Sequence, residues 1–254
     1  MDLRTYLARI RYEGSLVPSA ETLRPLHRTH LMSVPFENLS IHAAEPIVLD
    51  DAALYEKIVR RGRGGFCYEL NGLFAALLHA MGFRVSMLAA EVANAEGRYG
   101  PNFDHMALLV ELEERWLADV GFGDSFLEPL RLDLGVEQVE GDRAYRIEPH
   151  GDRLVLARRE ASGPWTPQYR FGLEPHVYAD YAAMCHYNQT SPESSFTRRR
   201  ICSRATPDGR VTLSGLKLIV TSRGERQERE LSGEAEYAEA LREHFGVVMA
   251  GPEV

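Results

Sequence analysis

The chain has few cysteines, and their positions argue against cross-linking or metal binding. Its 254 residues contain three, Cys67, Cys185 and Cys202, and none forms a Cys-x-x-Cys pair with another. An odd and widely spaced set of this kind indicates neither a disulfide framework nor a zinc knuckle. We therefore predict no metal site. We expect one of the three cysteines to be a reactive thiol.

The chain also lacks an excess of positive charge. Its formal net charge is -8, whereas a protein that binds nucleic acid needs a basic face to displace counterions. We therefore expect no nucleic-acid partner. One basic run, Arg198, Arg199 and Arg200, is either a solvated surface or a contact for an anionic phosphate group.

Long apolar runs are missing as well. No window approaches the roughly 18 apolar residues of a membrane span, and the opening sequence MDLRTYLARI lacks the apolar stretch of a secretion signal. We therefore expect a cytoplasmic protein with no membrane partner. The hydrophobic and charged fractions, 44% and 26%, are those of an ordinary globular protein.

Hydrophobic spacing divides the chain into three parts. Residues 1–82 carry apolar residues at helical spacing, most clearly in the run from Cys67 to Met81 that Gly82 closes. Residues 83–173 contain short runs of β-type composition separated by Gly, Pro and Asp, which indicate an antiparallel sheet or small barrel. Residues 174–254 return to a helix, then two strands, then a final helix.

Cys67 stands where a glycine turn meets a predicted helix. In the sequence Arg63-Gly64-Gly65-Phe66-Cys67, the thiol lies at a helix N-terminus, where unpaired amides and the helix dipole stabilise a thiolate and lower its pKa. The glycines would also let a substrate carbonyl approach closely. The alternative is a buried structural cysteine, a common role for an unpaired thiol.

His105 and Asp119 are the candidate partners of this thiol. His105 opens the β-type run Asp104–Val110, and Asp119 stands inside the apolar run Trp116–Phe122, where an unpaired carboxylate would be unfavourable. If the two runs form a hairpin, the two side chains lie side by side and the carboxylate can fix the histidine tautomer. Taken singly, each has a structural alternative, as a core histidine and as a hydrogen-bond acceptor.

Five motifs, in this order, resemble the arylamine N-acetyltransferases. They are VPFENL (34–39), RGGFCYELN (63–71), FDHM (103–106), ADVGFG (118–123) and SPESSF (191–196). The resemblance implies an α+β fold with a cysteine-protease-like Cys-His-Asp core. It implies an N-terminal helical bundle that carries the nucleophile (1–82), a central antiparallel β-barrel that carries His and Asp (83–173), and an interdomain helix followed by an α/β lid (174–254).

The resemblance also implies an acetyl transfer by a ping-pong mechanism. Cys67 would take the acetyl group from acetyl-CoA as a thioester and pass it to an arylamine, an arylhydrazine or an N-hydroxyarylamine. His105 would accept the thiol proton and later help to deprotonate the amine, and Asp119 would stabilise the imidazolium. Acetyl-CoA would be a substrate, with no permanently bound cofactor, for a monomer or homodimer.

Aromatic residues are expected to line the acceptor site. By resemblance these are Phe36, Phe122 and Phe196, since flat walls suit flat aromatic amines; Phe36 and Phe196 could instead be core residues. Asp104 is acidic where the family often has a small or hydroxylated residue. Its charge would favour cationic or hydrazide acceptors, or would simply face water.

Two further groups are implied by the resemblance alone. The expected cofactor contacts are Pro101, Asn102 and Gly123. Three residues are expected to support the site from behind, Arg63 and Glu37 as an ion pair and Asn71 as a brace for Asp119.

Two other enzyme classes remain open at this point. An amide synthase of the same fold would transfer a longer acyl chain. A papain-like or transglutaminase-like hydrolase would share the Cys-His-Asp set, but no C-G-[SA]-C-[WY] sequence surrounds Cys67, and His105 follows it by only 105 − 67 = 38 residues, against ~130 in papain-type chains. A non-enzymatic binding module would leave the thiol inert.

Overall fold

The first part of the chain consists of two 14-residue helices and several shorter ones. We describe residues 1–249 from a computed structural model. The elements of this part are α1 (Leu3–Arg9), α2 (Ala20–Ser33), β1 (Phe36–Glu37), α3 (Leu39–His42), α4 (Asp51–Tyr55), a π-helix (Glu56–Arg60) and α5 (Cys67–Ala80). Side-chain caps begin three of the helices, from Asp2, Ser19 and Asp50, because each accepts a hydrogen bond from an otherwise unpaired amide.

The middle of the chain is an eight-stranded antiparallel sheet that curls into a nearly closed barrel. Its strands are β2 (Arg84–Val92), β3 (His105–Glu111), β4 (Arg115–Ala118), β5 (Leu130–Arg131), β6 (Gln138–Glu140), β7 (Arg143–His150), β8 (Arg153–Glu160) and β9 (Thr166–His176). Their order is β5-β4-β3-β2-β9-β8-β7-β6. The two end strands meet through Gln138, whose amide bonds the backbone N–H and C=O of Arg131 at 2.8 and 2.9 Å.

Strand β3 is buried on both faces, and this placement brings the barrel against α5. Leu108 and Val110 join the core of the helical part, whereas Ala107 and Leu109 point into the barrel interior. Because side chains alternate along a strand, one strand serves two cores. The helix that begins at Cys67 therefore packs directly on the strand that begins at His105.

The last part of the chain combines helices with a second sheet. Its elements are α6 (Tyr178–Thr190), α7 (Ser195–Arg198), β10 (Ile201–Thr206), β11 (Gly209–Ser214), β12 (Lys217–Ser222), β13 (Glu225–Glu230) and α8 (Glu234–Phe245). The sheet order is β1-β10-β11-β12-β13. Within residues 1–249, no helix is both long and apolar enough to cross a membrane.

The α+β fold class and the β3–β4 hairpin are confirmed, with Leu108 paired to Ala118 across the hairpin. Two details differ from the prediction. β9 continues to His176 because it pairs with β2 there, so the helix predicted from Glu174 begins only at Tyr178. β1 lies in the predicted helical part but pairs with β10.

The last part contains four strands where two were predicted, since β10 and β13 were missed. The six residues of β13 are polar and all exposed, so no apolar alternation marks this strand. The three-unit division at residues 82 and 173 stays a prediction. Within its third unit, residues 250–254 lie outside the described range.

Candidate active site

Cys67 is the first residue of α5 and is almost fully buried. The turn before it is held by a buried charge pair: Glu69 accepts the backbone N–H of Phe66 at 3.1 Å, and the Lys57 ammonium donates to Glu69 at 2.6 Å. Gly65 packs so closely on Glu69 that an added Cβ would lie 2.6 Å from its carboxylate oxygen. A glycine is therefore required in this turn.

His105 and Asp119 are hydrogen-bonded and buried. The Nε2 atom of His105 lies 2.7 Å from Oδ2 of Asp119. The other carboxylate oxygen accepts the side-chain amide of Asn71 at 2.8 Å and the backbone N–H of Gly121 at 3.0 Å. Burial acts to raise the pKa of Asp119, but His105 and these donors hold that pKa below its usual value. The carboxylate is therefore ionised at neutral pH.

Asn71 joins the helix of Cys67 to the hairpin of the other two residues. Besides Asp119, its amide donates to the backbone carbonyl of Met106 at 2.6 Å, and its oxygen accepts the backbone N–H of Val120 at 2.8 Å. All of its polar atoms are engaged, and it is completely buried. Asn71, whose supporting role was expected from the resemblance, thus contacts Asp119 directly.

The thiol of Cys67 lies against the backbone next to His105. Met106 follows His105 in β3, and its backbone amide acts on the pKa of the thiol. Gly121 packs so closely that an added Cβ would lie 2.8 Å from the Cys67 Cα. Burial raises the pKa of the thiol well above its usual value, the Met106 amide opposes this, and the carboxylates of Asp104 and Asp119 add to it. The predicted lowering by the helix N-terminus is outweighed, so the thiol needs a base.

Arg63 and Glu37 form a buried ion pair, 2.9 Å apart, directly before this turn. Glu37 also accepts the backbone N–H of Gly64 at 3.2 Å and that of Leu39 at 2.6 Å. Since Glu37 belongs to β1, the pair connects the second sheet to the turn that leads into Cys67.

The three predicted phenylalanines are each half-buried and border open space. Phe122 packs edge-on against the His105 ring at 5.2 Å. Phe36 and Phe196 face each other at 6.2 Å, and Phe36 also covers Gly123, whose φ is +90°. Phe36 and Phe196 line a cavity of about 550 Å³ together with Asn38, Ser195, Arg198, Arg199, Ile201 and Ser214.

The remaining predicted contacts are more scattered. Pro101 and Asn102 are exposed in the loop before β3, and Gly123 lies instead against Phe36. Asp104 is half-buried, and burial raises the pKa of its carboxyl. No group of three or more His, Cys, Asp and Glu side chains among the described residues is arranged to hold a metal ion.

Two residues near the site were missed by sequence reasoning. Tyr169 packs its ring 5.1 Å from that of His105, and His27 contacts the backbone of Asp119 at 3.0 Å. His27 lies on the inner face of a predicted helix, where its spacing is that of a core residue. Tyr169 lies in a β-type run with no motif around it. Neither position carries a sequence signal for the site.

Comparison with known proteins gives concordant results. The N-acetyltransferase family profile matches residues 19–254. An arylamine N-acetyltransferase of Escherichia coli K12 is 35% identical over 249 residues, covering 96% of this chain and 88% of the relative. The solved arylamine N-acetyltransferase of Salmonella typhimurium aligns with a TM-score of 0.91 and 32% identity, covering 99% and 93% of the two chains. The Mycobacterium marinum enzyme in complex with CoA aligns with a TM-score of 0.89 and 33% identity, covering 97% and 93%.

Proposed function

The chain belongs to the arylamine N-acetyltransferase family, and from this membership we propose that it transfers acetyl groups in two steps through a thioester on Cys67. Acetyl-CoA is the acyl donor, in keeping with the CoA complex of the M. marinum relative. The acceptor is an arylamine, an arylhydrazine or an N-hydroxyarylamine. No permanently bound cofactor takes part.

The observation that carries this proposal is the 2.7 Å hydrogen bond between His105 and Asp119. An ionised carboxylate holds the proton on Nε2, which leaves the Nδ1 lone pair as the base. Such a base is needed because burial raises the pKa of the Cys67 thiol. Asp119 then stabilises the imidazolium that forms, with Asn71 and Gly121 fixing the carboxylate.

The two steps follow from these positions. In the first, His105 takes the thiol proton, the sulfur attacks the acetyl carbonyl carbon, and CoA leaves as its thiol after receiving that proton. In the second, the acceptor nitrogen attacks the thioester and loses a proton to His105. The Cys67 sulfur then leaves, recovers the proton, and the acetylated amine is released.

The cavity beside Phe36 and Phe196 is proposed as the route for acetyl-CoA. Its outer rim carries Arg198 and Arg199, for which no ion pair is found among the described residues. Arg200, by contrast, bonds Glu234 with both terminal nitrogens, at 2.6 and 2.8 Å. Two arginines that are adjacent in the sequence and have no carboxylate partner within residues 1–249 suit the phosphates of CoA.

A cytoplasmic location and a monomeric or homodimeric state stay predictions.

The mass of the intact protein tests the proposal. Mixed with acetyl-CoA alone, the wild type should gain one acetyl group, and an arylamine should discharge it. Cys67→Ser should gain none, and the matched control Cys185→Ser, which alters another buried thiol, should gain one. An acetyl adduct on Cys67→Ser would contradict the assignment. An adduct formed only from longer acyl thioesters would favour the amide synthase.

A further inference from the structure

His27 is a completely buried histidine that the proposed chemistry does not use. It lies on α2 and contacts two other parts of the molecule. Its ring stacks on Phe126, with centroids 5.5 Å apart and planes 14° apart, and meets the edge of Phe74 of α5 at 6.0 Å. The ring is therefore enclosed between the helix of Cys67 and the loop that follows β4.

Both nitrogens of His27 bind the backbone of that loop. Nε2 lies 3.0 Å from the N–H of Asp119, and Nδ1 lies 2.8 Å from the carbonyl oxygen of Leu127. A peptide N–H can only donate and a carbonyl oxygen can only accept. Nδ1 must therefore carry the proton and Nε2 must present a lone pair, so the ring is neutral and has one tautomer.

His27 is one of several residues that hold the loop from Asp119 to Leu127, beside Asn71 at Val120 and Glu140 at Leu127. β4 ends at Ala118, and the loop contains Gly121 and Gly123, the latter at a φ of +90°. His27 ties together its first and last residues. Burial lowers the pKa of His27 to about 4, with the Leu127 carbonyl and the Asp119 carboxylate opposing this. The ring thus keeps its lone pair at neutral pH.

We propose that His27 is a positioning residue for acetyl transfer, which sets the direction of the Asp119 carboxylate by holding both ends of the 119–127 loop. This inference rests on the proposed role of Asp119. The hydrogen bond to the Asp119 amide fixes the backbone that carries the carboxylate, and the carboxylate fixes His105. Small displacements of such supporting groups reduce the rates of positioned reactions.

Three variants separate positioning from folding. His27→Leu removes both hydrogen bonds, and we expect the rate of Cys67 alkylation by iodoacetamide and the rate of thioester formation to fall about tenfold or more. His27→Gln, with a donor and an acceptor on one amide, should recover most of both rates. The control His30→Leu removes another fully buried histidine of α2, which contacts Tyr6 instead. It should lower the melting temperature without lowering either rate.

A double-mutant cycle tests whether His27 acts through Asp119. Asp119→Asn alone should reduce both rates by about 10³-fold or more. Adding His27→Leu to that variant should reduce them no further, because the carboxylate that His27 orients is gone. A further tenfold loss in the double variant would show a general structural role and overturn the proposal.

The remaining outcomes are also decisive. If Asp119→Asn has no effect, the proposed chemistry fails and His27 loses its role with it. If Asp119→Asn is impaired but His27→Leu is not, only the His27 proposal fails. If His27→Leu does not fold, His27→Asn replaces it in the experiment. Its side-chain amide can donate to the Leu127 carbonyl but is too short to accept the N–H of Asp119. Unchanged rates in that variant would equally overturn the proposal.

Discussion

The back and the front of the active site are held by different kinds of contact. The back consists of Asn71, Asp119, His27 and the Glu37–Arg63 pair, all buried and joined by hydrogen bonds of 2.6 to 3.4 Å to their neighbours. The front consists of Phe36, Phe122, Phe196, Arg198 and Arg199, all half-buried or exposed. The hydrogen bonds of the back fix the positions of the reacting groups. At the front, the aromatic side chains select the acceptor by how well its shape fits between them.

Acid should loosen the back and the helix α2 that carries His27, and of the effects that compare the back with the front this is the largest. In the folded protein, burial lowers the pKa of His27 to about 4 and that of His30 to about 3, from 6.5. The unfolded chain therefore binds more protons below pH 6.5, so stability is complete above that value and is lost as the pH falls towards the folded pKa values. Each histidine should contribute on the order of 3–5 kcal/mol to the complete loss.

Urea unfolding at several pH values between 7 and 4 measures this loss. His30→Leu should show a flatter dependence of the free energy of unfolding on pH than the wild type, even if its stability at pH 7 is lower. An unchanged slope would mean that His30 does not contribute to the acid sensitivity of the fold.

At the front, removing an aromatic side chain should weaken binding of the arylamine more than it slows the reaction with acetyl-CoA. Phe196→Ala deletes a ring that lies 6.2 Å from that of Phe36 and packs edge-on against Phe66 at 5.6 Å. Loss of aromatic contact area should raise KM for an arylamine about tenfold, while the single-turnover rate of thioester formation stays within about twofold. A fall in stability with no change in KM would instead make Phe196 a core residue.

The smallest expected effect lies at the outer rim of the front. The double variant Arg198→Ala, Arg199→Ala should raise KM for acetyl-CoA about threefold to tenfold at low salt, because two exposed charges contribute modestly and are screened by ions. Arg200→Ala is the control, since its guanidinium pairs with Glu234 and lies over the ring of Tyr237. Equal changes in both variants would exclude a specific phosphate contact.

Features that depend on neighbouring residues could be predicted from the sequence, whereas contacts between distant parts of the chain could not. The start of α5 at Cys67 and the β3–β4 hairpin follow from local patterns, because glycine turns and apolar spacing act within a few residues. The hydrogen bonds of Asn71 bridge 35 and 48 residues of chain, and that from Asp119 to His27 bridges 92. Such pairings arise only when separate elements pack, so no local pattern contains them.

Electrostatics was the other part that sequence reasoning missed. The helix N-terminus at Cys67 predicted a lowered thiol pKa, but the prediction could not include the burial of the thiol or the carboxylates of Asp104 and Asp119. The helix dipole stabilises an anion at the N-terminus by about 0.3–1 kcal/mol at the surface. The cost of burying the charged thiolate is far larger, so burial decides the direction of the shift.

The π-helix before the active-site turn makes the chain unequally sensitive to changes in its length. The N–H of Arg61 bonds the carbonyl of Glu56, five residues earlier, at 2.9 Å, so this turn holds one residue more than an α-helical turn with its four-residue spacing. Deleting one residue here would remove the extra residue and restore α-helical spacing, so Leu54 and Tyr55 would keep their places in the core. A deletion within the regular helix α5 would instead turn the residues before it by about 100° relative to those after it. A one-residue deletion in the π-helix should therefore be better tolerated during evolution than one within α5.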